Sequence, residues 1–378
     1  MNYIIIILLI FFQLFSFGKL EDNVIALIGG YTPDSNYIDV WGGNYSCDLD
    51  SIKNLGYSTV GGLIDSKITI CGGNNTCYQL DPLLNLWMDF PEMVGADSRF
   101  DCGYVMTPNG LFVTGGFFGC ATNSAEYYND SKWIPLPNET YPSYGSCMTQ
   151  LNDTHTLHIG KIIIVKKAKI IYEFRIVLTG GYQNVQCNST NIVSNQIHIF
   201  DWTNQEWSEA EPMYYNRSSP MCATLPDGKV IVTGGQNQTF GILNSTEIYD
   251  PIKDGWAFST DLPFPIFNGQ LVNHTHSNGT SALYLVNGWT NFTEKITLKS
   301  ILHFNYSSDN NVSSKWFEVG QLQNGRSGAV VLSIPKTSLP NCVQPSPDPE
   351  SGSKVLCSIW LNILIPFLVI LYMNLWME

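Results

Sequence analysis

Residues 230–235 read VIVTGG, and the chain continues to Tyr249-Asp250-Pro251 and then Asp254-Gly255-Trp256. Apolar, β-branched residues without polar alternation are what a strand buried on both faces requires. The two glycines remove the Cβ at the strand end, so the backbone can turn there while a neighbouring segment comes close. Pro251 and Gly255 punctuate a tight reversal between two further strands, each carrying one large ring, Tyr249 and Trp256.

The same reading holds at five other places: Val24 to Gly30 (VIALIGG), Ile68 to Gly73 (ITICGG), Leu111 to Gly116 (LFVTGG), Ile176 to Gly181 (IVLTGG) and Leu283 to Gly288 (LYLVNG, with Asn287 for the first glycine). Gly30, Gly73 and Gly116 are 43 residues apart, and the later intervals are 65, 54 and 53. Downstream come the aromatic couples Tyr78 and Trp87, Tyr127 and Trp133, Phe200 and Trp207, and Phe304 and Trp316. A short strand and turn precede each Gly-Gly strand, as in residues 221–228 (MCATLPDG). Four short strands per copied unit, at this period, describe a propeller blade.

Gly-Gly after an apolar strand, then Tyr-Asp-Pro and Trp, then Arg before the next strand, resembles the kelch repeat over roughly residues 24–335. The expected fold is all-β, a six-bladed kelch-type β-propeller. Residues 326–335 (RSGAVVLSIP) look like a strand that lacks its Gly-Gly follower, and Val24–Gly30 lacks a predecessor. Pairing of these N- and C-terminal strands closes the ring and removes free edges. The first unit has Val40-Trp41-Gly42 in place of the usual Trp spacing. The resemblance implies a binding platform, since few kelch relatives are enzymes.

The ends point to a compartment. Residues 4–17 (IIIILLIFFQLFSF) with Ser16-Phe17-Gly18 read as a signal peptide over 1–18, too short to span a bilayer. A Pro-rich stalk, 336–354, precedes an apolar tail, 355–376. Small residues from Ser351, a polar spacer and the tail follow the order of a glycolipid-anchor signal, with a retained single-pass helix as the alternative. Fourteen Asn-x-Ser/Thr sequons, at Asn44, Asn74, Asn129, Asn138, Asn152, Asn188, Asn216, Asn237, Asn244, Asn273, Asn278, Asn291, Asn305 and Asn311, suit a glycosylated protein on the outer face of the plasma membrane. A formal charge of −13 argues against nucleic acid as a partner.

Ten cysteines fit an oxidising compartment and structural disulfides. The expected bridges are Cys71 with Cys77 across a loop and Cys102 with Cys147 between neighbouring units. One stretch breaks the repeat: about twenty residues are extra near 158–175 (HIGKIIIVKKAKIIYEFR), holding five of the chain's 19 Lys and Arg. It reads either as a protruding hairpin or as a gene-model error such as a retained intron. Joining Thr156 to Ile176 nearly restores the repeat.

Arg99, Arg217 and Arg326 occupy one repeat position, just before the inner strand of alternate units. In kelch adaptors of ubiquitin ligases, which these positions resemble, such arginines line a face that grips acidic peptides; the resemblance implies a cationic binding face for carboxylates or sialylated glycans. The other role open to them is to fix the turn by bonding backbone carbonyls. His274-x-His276 has a same-face spacing, but it lies between sequons, and no metal or other cofactor is expected. Phosphate loops, nucleophile elbows and His-Glu-x-x-His are missing from the sequence. The function expected is a cell-surface binding, adhesion or recognition module for a protein or glycan ligand, tethered to the membrane by its C-terminal anchor. The alternative is a galactose-oxidase-like or sialidase-like enzyme.

Overall fold

The computed structural model describes residues 23–31, 37–41, 45–48, 59–72, 75–95, 99–152, 174–183, 192–291, 293–294, 296–308, 313–322 and 324–340. The signal peptide 1–18, residues 158–173 of the anomalous stretch, the stalk beyond Pro340, Ser351, the tail 355–376, and Asn44, Asn74, Asn188 and Asn311 lie outside them, as does the side chain of Asn152.

The described chain is all-β, with one short 3-10 turn at Lys336–Ser338. It contains six antiparallel sheets of four strands. Numbered in chain order, sheet 2 is Val60–Ile64, Lys67–Gly72, Thr76–Asp81 and Leu86–Phe90, and sheet 3 is Gly103–Thr107, Gly110–Thr114, Ala125–Asn129 and Lys132–Leu136. Sheet 4 is Cys147–Asn152, Phe174–Thr179, Ile197–Asp201 and Glu206–Ala210; sheet 5 is Met221–Thr224, Val230–Thr233, Thr246–Asp250 and Gly255–Phe258. Sheet 6 is Gln270–Thr275, Ser281–Val286, Ser300–Asn305 and Lys315–Gln321. Sheet 1 is composite: Asn23–Ile28, Tyr37–Trp41 and Tyr45–Asp48 are completed by Val330–Pro335, which pairs from Asn23↔Pro335 to Ile28↔Val330.

The apolar second strands serve two neighbours at once. In sheet 5, Val230 and Val232 face a core shared with Leu151, Val177, Ile197 and Ile199 of sheet 4, while Ile231 faces Leu271, Leu285 and Leu302 of sheet 6. Alternate side chains of a strand point to opposite faces, so a strand sandwiched between two sheets must be apolar throughout. Similar cores lie between sheets 1 and 2, 2 and 3, and 3 and 4. Another joins Val272, Tyr284 and Val286 of sheet 6 to Ile25, Leu27 and Val331 of sheet 1.

In sheets 3 to 6 the Trp of the outer strand has a second task besides filling space. Its indole N–H donates to a carbonyl just past the preceding sheet: Trp133 to Pro91 (2.9 Å), Trp207 to Pro137 (2.9 Å), Trp256 to Glu211 (2.7 Å) and Trp316 to Thr260 (3.1 Å). A ring with an apolar body and one donor suits a boundary that is packed on one side and needs one hydrogen bond on the other. In sheet 4, Cys147 pairs with Thr179 as Met221 pairs with Thr233 in sheet 5. The additional residues there therefore fall in the connection after Asn152, while Phe174 and Arg175 belong to the strand itself.

Candidate recognition site at the inner-strand entrances

Two residues before each described inner strand from sheet 3 onward, the backbone is left-handed: Asp101 (φ 53°), Gly145 (62°), Ser219 (47°), Asn268 (54°) and Gly328 (62°). These five form a belt. Gly145 N–H donates to Asp101 O (2.8 Å), Ser219 to Gly145 (2.7 Å), Asn268 to Ser219 (2.9 Å) and Gly328 to Asn268 (3.1 Å). Non-glycine residues in this conformation cost roughly 1–3 kcal/mol each, and only a surrounding structure that over-determines them retains them. The sequence signal was there but faint, since Asp, Ser, Asn and Gly are the residues that tolerate left-handed turns.

Inside the belt lies a cavity of about 130 Å³, bordered by Ser146, Ser219, Asn268, Gln270 and Tyr104. Tyr104 Oη donates to Gln270 Oε1 (2.9 Å), tying the inner strand of sheet 3 to that of sheet 6, and Gln270 Oε1 also accepts from Val331 N (2.9 Å). Burial raises the Tyr104 phenol well above its ordinary value. Among the described residues lining the cavity, Asp101 is the one that carries a charge. Around the belt stand further rings: Phe117 meets Tyr144 at 4.9 Å, Tyr144 stacks on Tyr182 at 4.9 Å, and Tyr31 meets the buried Trp289 at 5.0 Å. Burial, with Tyr182 and Asp101 nearby, pushes the Tyr144 phenol up to about 12, so it stays neutral at neutral pH.

The glycine pairs set the spacing between sheets. The second glycine's N–H donates to the next sheet's entrance: Gly116 to Ser143 O (2.7 Å), Gly181 to Arg217 O (2.7 Å), Gly235 to Ile266 O (2.8 Å) and Gly288 to Arg326 O (2.8 Å). In sheets 3 to 5 the first glycine is left-handed and crowded; a Cβ on Gly180 or Gly234 would come within 2.4 or 2.3 Å of the carbonyl oxygen of Arg217 or Ile266.

The expected cationic face is corrected. Arg99, Arg217 and Arg326 are 1%, 0% and 0% exposed, and each guanidinium turns inward to a carboxylate on the third strand of its own sheet. Arg217 Nη2 meets Glu247 Oε1 at 2.8 Å, and Nη1 donates to Gly234 O (2.7 Å) and Ser245 O (2.9 Å). Arg326 reaches Asp39 Oδ2 (2.8 Å) and Gly29 O (3.1 Å), and Arg99 pairs with Glu126 and donates to Ser124 O (3.1 Å). The carboxylates also take backbone donors: Tyr214 N (2.7 Å) on Glu247 and Val94 N (2.8 Å) on Glu126. Burial depresses the Arg99 and Arg217 guanidinium groups, with Glu247 opposing at Arg217, and burial raises Asp39 against the pull of Arg326. Buried charges persist only when paired and hydrogen-bonded, and these are. They fix the turn and offer no charge to a ligand. Ser143 with His198 in sheet 4, and Ile266 with Leu302 in sheet 6, take the corresponding places without a charge pair.

The expected Cys102–Cys147 bridge is corrected as well. Cys147 is bonded to Cys222, joining sheets 4 and 5, and Cys102 is a buried free thiol. All three head inner strands, so spacing alone leaves Cys147 two neighbours. The Cys102 sulfur instead lies over Gly116, where a Cβ would sit 2.7 Å from it. Burial pushes this thiol up to about 12, which removes its nucleophilic form at neutral pH. Cys71 is bonded to Cys77, at the register position where sheet 5 has Thr233 hydrogen-bonded to Thr246 (2.7 Å). Cys120 is also disulfide-bonded. Among the described residues, no group of three or more His, Cys, Asp or Glu is arranged to hold a metal ion.

Repeated Gly-Gly corners, indole stitches and arginine–carboxylate locks define an all-β protein built from repeated four-stranded units. No family model matches the chain. Kelch-like protein 23 of Homo sapiens is 25% identical over 192 residues, covering 48% of this chain and 28% of that protein. The F-box/kelch-repeat protein SKIP30 of Arabidopsis thaliana is 26% identical over 164 residues, covering 42% of this chain and 38% of that protein. Spermatocyte protein spe-26 of Caenorhabditis elegans is 30% identical over 110 residues, covering 29% of this chain and 19% of that protein. The matches thus span less than half the length of these relatives. The solved structure of YjhT superposes with a TM-score of 0.50 at 15% identity, covering 74% of this chain and 88% of that one, which is a likeness of fold alone. The chain is similar to kelch-repeat proteins over up to 48% of its length, and its all-β fold is like that of a propeller.

Proposed function

We propose that the six sheets are the blades of a ring closed between the first and last strands, and that its belted, aromatic-rimmed mouth is the recognition surface of a protein- or glycan-binding module. The observation that carries this reading is the belt. Five left-handed residues bonded to one another hold the mouth in one shape, and a rigid surface loses little freedom when a ligand arrives. Tyr31, Phe117, Tyr144 and Tyr182 around it are partly exposed, and aromatic rings supply large contact area at low entropic cost. The cavity, at about 130 Å³, is smaller than the roughly 300–1,000 Å³ of drug-sized sites, and therefore suits an inserted side chain or single sugar. We place the protein on the outer cell surface, delivered by the signal peptide 1–18 and held through Ser351 or the tail 355–376, because of the order of segments at both ends of the sequence.

The test is binding of the purified protein to intact cells and to a panel of immobilised glycans. Replacing Tyr144 and Tyr182 together by Ala is expected to weaken capture at least roughly ten-fold, as for loss of a hot spot, with Tm little changed. Equal capture by the variant, or capture by neither protein, rejects the mouth as the binding surface.

A further inference from the structure

Beside sheet 5, three rings are open to water: Tyr214 is 58% exposed, Phe240 66% and Phe258 59%. They form one group. Tyr214 stacks on Phe258 at 4.7 Å, and Tyr215 meets Phe240 and Phe258 edge-on or tilted at 6.0 Å each. Scattered exposed rings are ordinary, but a cluster of this kind marks a surface that something covers. Against it lies a cavity of about 250 Å³ lined by Tyr214, Tyr215, Phe240, Asn216, Asn237 and Gln238, among others. That volume is just below the range of drug-sized sites and on the scale of one monosaccharide.

Two lining asparagines open sequons, Asn216-Arg217-Ser218 and Asn237-Gln238-Thr239. They are not equivalent. Asn237 is buried; its Nδ2 donates to Asn216 O (2.8 Å), and its Oδ1 accepts from Thr239 N (2.7 Å) and Phe240 N (3.1 Å). Its amide builds the loop that carries Phe240. Asn216 is exposed, and its Nδ2 donates to Val193 O (2.9 Å) with one of its two hydrogens. Glycosylation replaces the other, so that bond and a sugar coexist.

Resting on the secreted reading above, we propose that Asn216 carries an N-linked glycan whose first sugar is seated in this cavity against Tyr214, Tyr215 and Phe240, while Asn237 stays unmodified. The covering group is then the chain's own glycan. The donor is an oligosaccharide carried on a lipid pyrophosphate: a bond forms between Asn216 Nδ2 and the anomeric carbon, the bond from that carbon to the pyrophosphate oxygen breaks, and the amide gives up one proton. The C–H face of a pyranose packs on ring faces as other apolar surface does. Its polar edge has the amide of Gln238 and the hydroxyl of Thr239 on the same wall.

The full chain, expressed in a secretory eukaryotic cell, gives two readouts. Peptide mapping after enzymatic glycan release is expected to find Asn216 occupied and Asn237 bare. In thermal unfolding, Asn216→Gln is expected to lower Tm by about 2 °C, as loss of an aromatic contact does in a domain of this size. Trimming the glycans to a single sugar is expected to leave Tm unchanged, and Phe240→Ser is expected to lower Tm only when Asn216 carries its glycan. A bare Asn216 with Asn138, Asn244 and Asn305 occupied overturns the proposal while sparing the secreted reading. So does an occupied Asn216 with no coupling to Phe240. A chain bare at all four sites overturns both.

Discussion

A single oxygen atom explains the most repeated feature of the sequence. Ile266 O occupies the place where a Cβ on Gly234 would be, 2.3 Å away, and Arg217 O does the same at Gly180. Gly29 shares the left-handed backbone, φ 67° against 63° at Gly234, but its nearest neighbour would be Thr59 Oγ1 at 3.9 Å. Gly29→Ala therefore carries the conformational cost alone, about 1 kcal/mol, whereas Gly234→Ala adds the displaced carbonyl and is expected to cost about 3 kcal/mol or more. Chemical denaturation of the two variants reads the difference directly. Arg217→Met strands the Glu247 carboxylate at 0% exposure and is expected to cost about 3–5 kcal/mol. Adding Glu247→Gln recovers part of that loss if the pair is the reason. The arginines were legible as a repeated position, and bonding to backbone carbonyls was one of the two roles read there; their acidic partners were not. The missing signal was the acid inside each third strand, Asp39, Glu126 and Glu247, present in the same three sheets as the arginines.

Strand ends in sheets 3, 4 and 6 hold the groups through which pH acts. Glu139 is buried beside the Thr114 hydroxyl and the Ser143 hydroxyl (2.8 Å), and burial pushes it up to about 8 despite those bonds and Arg99. An acid whose folded value lies above its unfolded one stabilises the fold fully below about pH 4.5 and loses that contribution as pH rises through about 8. His198, His274 and His303 are displaced downward, first by burial; His276 adds to this at His274 and His303, and Glu209 opposes it at His198. Bases with lowered folded values give their stability above the ordinary histidine value, about 6.5, and withdraw it as pH falls. His274 Nδ1 is hydrogen-bonded to Ser333 Oγ (2.9 Å), so one of these bases lies on the seam between sheets 6 and 1. Tm is expected to peak near pH 6–7, with Glu139→Gln flattening the alkaline side and His303→Phe the acid side. An unchanged alkaline slope in Glu139→Gln rules out that carboxyl as its source. None of this was legible beforehand, because Glu139 and His303 are unremarkable residues until the fold removes water from them.

At the scale of the whole molecule, the repeat period announced antiparallel strands with double-sided apolar cores, because each second strand must please two neighbours. Spacing could not decide between partners that the repeat makes equivalent, and Cys102, Cys147 and Cys222 are such a set. The two bridges that span described residues differ greatly in reach. Cys147–Cys222 closes 75 residues and Cys71–Cys77 only 6. In the chain-entropy account these amount to about 4.5 and about 2 kcal/mol. Cys222→Ser is thus expected to lower the unfolding free energy about twice as much as Cys77→Ser, measured under non-reducing conditions. Equal losses mean that sheets 4 and 5 are held by their shared core and not by the bridge.

The register of the last strand has a mechanical consequence. Pro335 lies opposite Asn23, and Val330 opposite Ile28, so tension entering from the segment after Pro335 runs along the strand axis. All six residue pairs then bear the load together in shear, instead of opening one after another like a zip. A molecule pulled from that end resists up to a high threshold and then parts abruptly, at the one sheet whose strands come from both halves of the chain.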